Sequence, residues 1–510
     1  MRIRRARAGW VRRRAADRKT QPAGLEYLKS ELGYGVSFDV IVREFDLSGH
    51  PAALVYIDSF VDQTVLTLIM EELLKPEHAV QRADLENLKS LLVRRVPYIE
   101  IQRETNFERV RDQILAGPAA LLVAGAQGAL VLDVRKYPQR QPEEPTLERV
   151  IRGPRDGFIE TLIENTIMVR RRIRDPHFRA EAFQVGSRAK TDVVMMYIGD
   201  IANEHFVKTI RERIQSIRVD GLTMSEKAME EWIMKKPWWN LFPNAKFTER
   251  PDVAAEHLMQ GHVLVMIDNS PNAIILPVTL FSFLQSAEEY HEGIVVGSYL
   301  KWVRNGAVLF SLIGPPLWYL FYAAHVALPG GWRVLVTPTT VGIPIIWQLL
   351  LVEVGVDILR LALMFTPNSL SQSMGFFGAI LLGDIAIKAG LIDAEVMVYV
   401  AIAAVGTFSA PDFDFGMAVR VMRMFLLILV ALANTFGLPW FGFVVGILVL
   451  MLMALRTDSL GIGYLWPLVP FDGPELLSLL SRKPLNRNIH RPGLTLPRDR
   501  FRQPAGGGRA

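Results

Sequence analysis

Five long apolar stretches fill the chain between residues 305 and 455: Ala307–Leu328, Val341–Phe365, Met374–Leu391, Val396–Ala410 and Met424–Leu455. A helix needs roughly 20 apolar residues to cross about 30 Å of hydrocarbon. Backbone in that zone is satisfied only in helices or closed barrels, and these runs lack the alternation of barrel strands. They are predicted to be helices. Ahead of residue 300 the sequence is mixed and charged. The pattern predicts a membrane protein with a cytoplasmic α/β head of two subdomains, followed by a polytopic α-helical bundle of about six helices.

Within the head, Val36–Phe45 alternates loosely and Ala53–Ile57 has the pattern of a buried strand. Val61–Leu74 has helical spacing. Ala119–Val123 and Ala129–Val134 flank Ala124-Gly125-Ala126-Gln127-Gly128, which predicts a hairpin. That glycine cluster lacks the Gly-Lys-Ser/Thr of a phosphate loop and runs into a strand instead of a helix. Prolines and charges crowd residues 136–156, and an amphipathic helix with Phe158, Leu162, Val169 and Ile173 on one face follows. Further on, Val193–Ile198, Val263–Ile267 and Ala273–Leu276 read as strands, with helices over Asn203–Ile217, Ser225–Met234 and Asp252–Met259. The expected division is a basic tail (1–20), a first α/β subdomain with a linker helix (21–185), a second (186–300), a transmembrane helical domain (301–458) and a basic C-terminal tail (459–510).

Charge sets the expected topology. Lys301 and Arg304 precede the first span, Arg420 and Arg423 precede the Met424 stretch, and Arg456 closes it. The loop after the first span carries Arg333, and the turn near residue 393 carries Asp393 and Glu395. The positive-inside rule then puts both ends in the cytoplasm and makes the number of crossings even. Met424–Leu455 would be ~48 Å long as one helix, so two short helices broken near Gly437 are expected. Two spans and a re-entrant hairpin both satisfy that break.

Glu353, Asp357 and Arg360 fall inside the second span on one helical face, and Asp384 and Lys388 fall four apart inside the third. An ionised group at mid-bilayer costs ~2.5–3.5 kcal/mol on the insertion scale and normally faces protein or water. One reading is mutual neutralisation, Asp357 with Arg360 and Asp384 with Lys388. The other is the polar lining of an ion path, for which Glu353 is the sharpest candidate because it lacks an obvious partner on its own helix. Gly375, Gly378, Gly383 and Gly390 offer small faces for helix contact.

The 510 residues carry a formal net charge of +5, a length that calls for about three structural units. No cysteine is present, which removes disulfides, thiolate metal sites and a cysteine nucleophile. Nine of the first twenty residues are Arg or Lys against one Asp, and Arg482, Lys483, Arg487, Arg491, Arg498, Arg500 and Arg502 make the tail basic. These ends read either as solvated charge runs or as contacts to anionic lipid headgroups. No recognition module accompanies the charge, so nucleic acid is not an expected partner. Walker A, His-Glu-x-x-His, Gly-x-Ser-x-Gly and Gly-x-Gly-x-x-Gly are all missing, and His257 and His262 are five apart, off the spacing for one metal on a helix. Neither enzyme activity nor a cofactor or metal is expected.

The stretch Pro138-Gln139-Arg140-Gln141-Pro142-Glu143-Glu144-Pro145, continued by Arg152-Gly153-Pro154-Arg155-Asp156-Gly157-Phe158-Ile159-Glu160, resembles the signature of the spore germination receptor A-subunit family of endospore-forming bacteria. Glu249-Arg250-Pro251-Asp252, Asp268-Asn269-Ser270-Pro271 and Glu288-Glu289-Tyr290 match it in order, and the similarity covers roughly residues 30 to 475. Leu361 and Asp384 depart from the nutrient-sensing branch, which favours a branch that amplifies early ion release with a small membrane partner. The resemblance implies a multi-pass protein of the spore inner membrane, with the head and both termini on the cytoplasmic or spore-core side. It also implies a homo-oligomer with a central conduit for monovalent cations, working with other germination proteins. The rival expectation is a membrane-anchored scaffold that couples such proteins without conducting; a transporter has the broken helices near Pro439 but no inverted repeat. The signature itself is expected to tie the two head subdomains together through Arg and Glu pairs, or else to be a solvated linker.

Overall fold

The computed structural model describes residue 22 and residues 24–47, 49–58, 60–75, 89–90, 100–136, 148, 153–286, 288, 292–326, 342–481 and 490–502. The first unit contains α1 (Leu25–Leu32), β1 (Val40–Leu47), β2 (His50–Ile57), α2 (Gln63–Leu73), β3 (Glu100–Glu104), α3 (Phe107–Leu115), β4 (Ala119–Val123) and β5 (Ala129–Asp133). Its sheet is antiparallel throughout, in the order β1-β2-β4-β5-β3. Successive side chains on a strand point to opposite faces, and both faces here are apolar. Leu54, Leu121, Leu130 and Leu132 pack under α2, while Ala53, Val55, Ala120 and Leu122 pack under α1 and α3. Asp62 starts α2 by accepting from the amides of Thr64 and Val65. The expected β4–β5 hairpin is present, and Gly128 is required in it: its φ is +89°, and a Cβ there would lie 2.3 Å from the carbonyl oxygen of Glu104.

The second unit holds α4 (Leu162–Arg172), β6 (Phe178–Val185), β7 (Thr191–Ile198), α5 (Glu204–Ser216), α6 (Ser225–Met234), β8 (Lys246–Thr248), α7 (Pro251–Met259), β9 (Val263–Ile267), β10 (Ala273–Leu276) and the short α8 (Leu280–Phe283). Its order, β6-β7-β9-β10-β8, is again fully antiparallel. The boundary expected at residue 185 is corrected: β6 pairs along its whole length with β7, so it belongs to the second unit. One face of this sheet packs on α5 and α6 through Val193, Met195, Val265 and Ile274. The other packs on α4 and α7, and its core runs on without a break into the bundle through Phe283, Phe415, Val419 and Met422.

The bundle consists of α9 (Ile294–Ala323), α10 (Ile345–Phe365), α11 (Asn368–Lys388, with a π-helical turn at Leu381–Ile385), α12 (Ala394–Phe408), α13 (Phe413–Asn434) and α14 (Pro439–Arg456). Six helices are thus present among the described residues, and the chain enters and leaves the bundle on the head side. The break near Gly437 is present. However, the helix expected from Met424 starts at Phe413, so Arg420 and Arg423 lie inside α13 and are not flanking charges. Close approach of α9 and α12 depends on Gly406, where a Cβ would lie 2.4 Å from the Ala307 carbonyl oxygen. α11 is loosely held: it packs mainly on α10, its end touches α12 through Ala386, and only 6% of its apolar window is buried.

The C-terminal tail also differs from expectation. After α14 a small hairpin, β11 (Asp458–Ser459) and β12 (Ile462–Gly463), and then α15 (Gly473–Leu480) lead a strap back over the second unit. Tyr464 is fully buried, 5.2 Å from the ring of Phe242 and 6.1 Å from that of Phe283. Thr495 Oγ1 donates to the Gln260 carbonyl (2.6 Å), Arg498 N to the Ile201 carbonyl (2.9 Å), and Arg502 pairs with Glu256 (3.0 Å). Arg491 donates to the Met259 carbonyl and pairs with Asp499. Arg482, Lys483, Arg487, Arg333 and residues 1–20 lie outside the described residues.

The two head units meet at a buried ion pair. Asp39, just ahead of β1, lies 2.9 Å from Arg170 of α4, and Phe38 N donates to the Ala180 carbonyl beside it (3.0 Å). Asp39→Ala would strand the Arg170 guanidinium, at a cost of about 3–5 kcal/mol. Thermal unfolding of the purified full chain checks this: the expected result is a clearly lowered melting temperature, largely restored by Asp39→Leu with Arg170→Met.

Candidate functional site

Glu353 of α10 is fully buried, and it is not alone. Arg423 of α13 grips its carboxylate with two hydrogen bonds, Nε to Oε1 at 2.6 Å and Nη2 to Oε2 at 2.8 Å. The remaining nitrogen of Arg423 donates to the Ser311 carbonyl (2.9 Å), to Ser311 Oγ (2.7 Å) and to Thr407 Oγ1 (3.3 Å). Four helices, α9, α10, α12 and α13, therefore meet at one guanidinium. Arg420, one turn earlier, lies 2.8 Å from Asp357 and 3.7 Å from Glu353. Pairs of this geometry are the condition under which buried charge is tolerated at all.

The intrahelical pairing expected between Asp357 and Arg360 does not form. Asp357 is taken by Arg420, and Arg360 packs over the rings of Phe408 and Phe413, 5.4 and 4.6 Å from their centroids. Asp384 and Lys388 do pair, at 2.6 Å, on the exposed face of α11. The structure thus divides the five candidate residues into two groups. Glu353, Asp357 and Arg360 are held within the bundle, and Asp384 and Lys388 face outward on the loosely packed helix.

A second constellation lies where the head meets the bundle. In the signature, Arg140, Pro142, Glu143, Glu144, Pro145 and Arg152 lie outside the described residues. Gly153 and Arg155 are exposed, Gly157 is buried, and Asp156 accepts from Arg172. The fully buried Arg250 donates to the carbonyls of Glu148 and Pro154, both at 3.1 Å. Phe158 N donates to the Glu249 carbonyl, Asn269 N to the Glu160 carbonyl, and Leu162 N to Asp268 Oδ1. Three motifs far apart in sequence, 148–160, 249–252 and 268–271, therefore form one structural unit. The described half of the signature is held by the second head unit, mostly through main-chain carbonyls.

Beside this unit a cavity of about 410 Å³ separates head from bundle, lined by Glu148, Thr248 and Lys227 from the head and by Arg360, Asp412 and Asp414 from the bundle. Burial pushes the Glu148 carboxyl up and the neighbouring Lys246 ammonium down, while each charge draws the other back. Asp412, in the turn just outside α13, caps that helix by accepting from Phe415 N at 2.8 Å, and burial pushes its carboxyl up to about 6. Asp412, Glu148 and Lys246 were not singled out from the sequence, and the two α13 arginines were read there only as flanking charges. A helix begun at Asp412, a good N-cap residue, would have put Arg420 and Arg423 on one face of a membrane helix.

The family model described as Bacillus/Clostridium GerA spore germination protein matches residues 26–494. Stage V sporulation protein AF of Bacillus subtilis (strain 168) is 40% identical over 479 residues, covering 94% of this chain and 96% of that protein. Spore germination protein KA of the same organism is 27% identical, covering 92% and 86%. Spore germination protein GerLA of Bacillus cereus is 28% identical, covering 88% and 89%. Among solved structures, the N-terminal domain of the A subunit of the Bacillus megaterium spore germinant receptor GerK3 aligns with 27% identity and a TM-score of 0.38, covering 49% of this chain and 92% of that one.

Two outcomes follow from these geometries. Arg423→Met would leave Glu353 with only the longer contact to Arg420 (3.7 Å) in place of its bidentate pair, a loss of about 3 kcal/mol; the level of folded protein in membranes should fall sharply, and Glu353→Leu in the same chain should restore most of it. For Asp412 the folded carboxyl titrates near 6 against an ordinary 3.8. The stability it contributes is therefore present below about 3.8 and lost as pH rises through about 6. Asp412→Asn keeps the cap and removes that loss, so at pH 7.5 it should raise the melting temperature, through a stabilisation on the order of 3 kcal/mol. At pH 4 it should change little.

Proposed function

The chain belongs to the Bacillus/Clostridium GerA spore germination protein family, and from that premise we propose that it is a channel-type component of germination. Several copies assemble in the spore inner membrane and pass monovalent cations outward, with the head and both chain ends on the core side. Other germination proteins, including a small membrane partner, complete the assembly.

The observation that carries this reading is α11. A helix that places ionisable and polar side chains in a membrane normally turns them toward protein or water. α11 exposes Gln372, Ser373, Asp384 and Lys388 yet rests against α10. An exposed pair four residues apart stabilises a helix by only ~0.3–0.5 kcal/mol, too little to explain two ionisable groups there. Further copies packed around α11 would enclose them about water. Asp384 lies one turn from the end of the helix, where a ring of carboxylates would concentrate cations at a mouth. The π-helical turn at Leu381–Ile385 falls at the same place, a local geometry frequent at functional sites. The conduit is assigned to α11 and not to Glu353, whose carboxylate is already closed by Arg423.

A scaffold that does not conduct has one observation in its favour: within a single chain Glu353 and Asp357 are already closed by Arg423 and Arg420. Potassium flux through vesicles containing the full chain separates the two. Under the channel reading Asp384→Asn lowers flux roughly threefold or more, about 0.7 kcal/mol on the barrier, with protein level unchanged. Flux that is absent from the parent chain, or identical in the variant, favours the scaffold.

A further inference from the structure

We propose that the segment from Lys235 to Trp239 is a membrane-surface anchor, which seats the second head unit on the anionic headgroups of the head-side leaflet. The inference needs only that the bundle spans a membrane, and it holds whether or not the chain conducts ions.

Its placement is set by two contacts. Asn240 Nδ2 donates to Thr457 Oγ1 at 2.7 Å, and Thr457 is the residue that closes α14. The 18 residues of α14 measure ~27 Å, close to the hydrocarbon thickness of about 30 Å. Thr457 therefore lies at headgroup level. Trp238 is two residues from Asn240, at most ~7 Å of extended chain, and the polar zone of a leaflet is itself about 5–8 Å deep. At the other end of α6, Lys227 lies 3.7 Å from Asp414 in the first turn of α13. α6 is thus pinned near the head-side ends of two membrane helices and runs along the leaflet between them.

The side chains fit that position. Trp238 is 94% exposed, Trp239 and Trp232 are about two-fifths exposed (42% and 40%), and Met224 ahead of the helix is 74% exposed. A tryptophan this free of the head contributes nothing to its core, whereas tryptophan is the residue enriched where hydrocarbon meets headgroups. Lys235 is exposed and Lys236 half-buried, so cations sit directly beside the indoles, as contact with anionic lipid requires. Lys235 has a left-handed backbone (φ 45°) and Pro237 fixes the next turn, so the tip is displayed by a stiff loop. The assignment places lipid contact on a structured loop of the head, away from the C-terminal arginines Arg491 and Arg502, which bind the head itself.

The absence of cysteine makes the test direct. Full-length Trp238→Cys, labelled with an environment-sensitive nitrobenzoxadiazole probe, is placed in nanodiscs of phosphatidylcholine and phosphatidylglycerol. Because the side chain is 94% exposed and free of the head's core, its replacement should leave the melting temperature unchanged. The expected result is blue-shifted emission, strong quenching by lipids spin-labelled near the headgroup, and protection from aqueous iodide. Reversing the charges with Lys235→Glu and Lys236→Glu in the same chain should shift emission back to the red and restore iodide access. A probe that iodide quenches and spin-labelled lipid does not, as a surface reserved for a protein partner would give, overturns the proposal. So does a probe indifferent to the charge reversal.

Discussion

Arg423 and Glu353 hold the bundle in its arrangement. Each charge alone in hydrocarbon would cost several kcal/mol, and no water is at hand to soften that cost. The structure answers with a bidentate pair and three further acceptors on two other helices. Because a guanidinium is planar and its donors fixed in a fork, satisfying all of them sets the relative rotation and height of α9, α10, α12 and α13. Arg420 and Asp357 repeat the arrangement one turn nearer the head. The consequence for α11 is geometric. α10 is fixed at the edge of a four-helix junction, and α11, joined to it by a tight turn, packs mainly on α10, with Ala386 near its end reaching the core beside Val396 and Val400 of α12.

The same core reaches the head without an intervening linker. Phe283 of α8 stacks on Phe415 of α13 with centroids 5.8 Å apart, and Tyr464 from the strap closes over Phe283. Arg250 holds the signature segment on one side of this joint, while Asp412 caps α13 on the other. Packed interiors move as discrete pieces and do not deform smoothly. A displacement of the second head unit would therefore be felt first at the start of α13, and through Arg420 and Arg423 at α10. The first unit is coupled more narrowly, through Asp39 and Arg170 and the short backbone contact beside them.

Much of this was legible in the sequence wherever one physical signal dominated. β4, β7 and β9 are apolar on both faces, so they announce themselves as runs; β6 does not, since Arg179, Glu181 and Gln184 interrupt it, and its place in the second sheet follows only from pairing with β7. β3 buries Ile101 alone among four polar neighbours and gives almost no signal. The number and alternation of the helices were readable from hydropathy. The partner of Glu353 was not. Asp412, Asp414, Arg420 and Arg423 together make residues 411–423 look like a charged loop, although two of them cap or flank a helix and two neutralise α10 from within it. The strap was hidden for a related reason: its basic composition suggests solvation, whereas Tyr464, Leu494 and Thr495 do the anchoring.

The closed state of the arginine junction also constrains how a conduit can work. A carboxylate that already accepts two charge-assisted hydrogen bonds has little left to offer a passing cation, and a guanidinium beside it repels one. Recruiting Glu353 to a pore would mean breaking a junction on which four helices depend, so opening by that route would dismantle the bundle. A path along α11 needs no such rupture. Its polar groups are exposed, its packing against α10 is light, and its π-helical turn leaves the helix free to readjust near Asp384. The strongly paired helices thus act as the fixed frame, and under the proposed assembly the weakly held helix is the element whose position neighbouring copies would set.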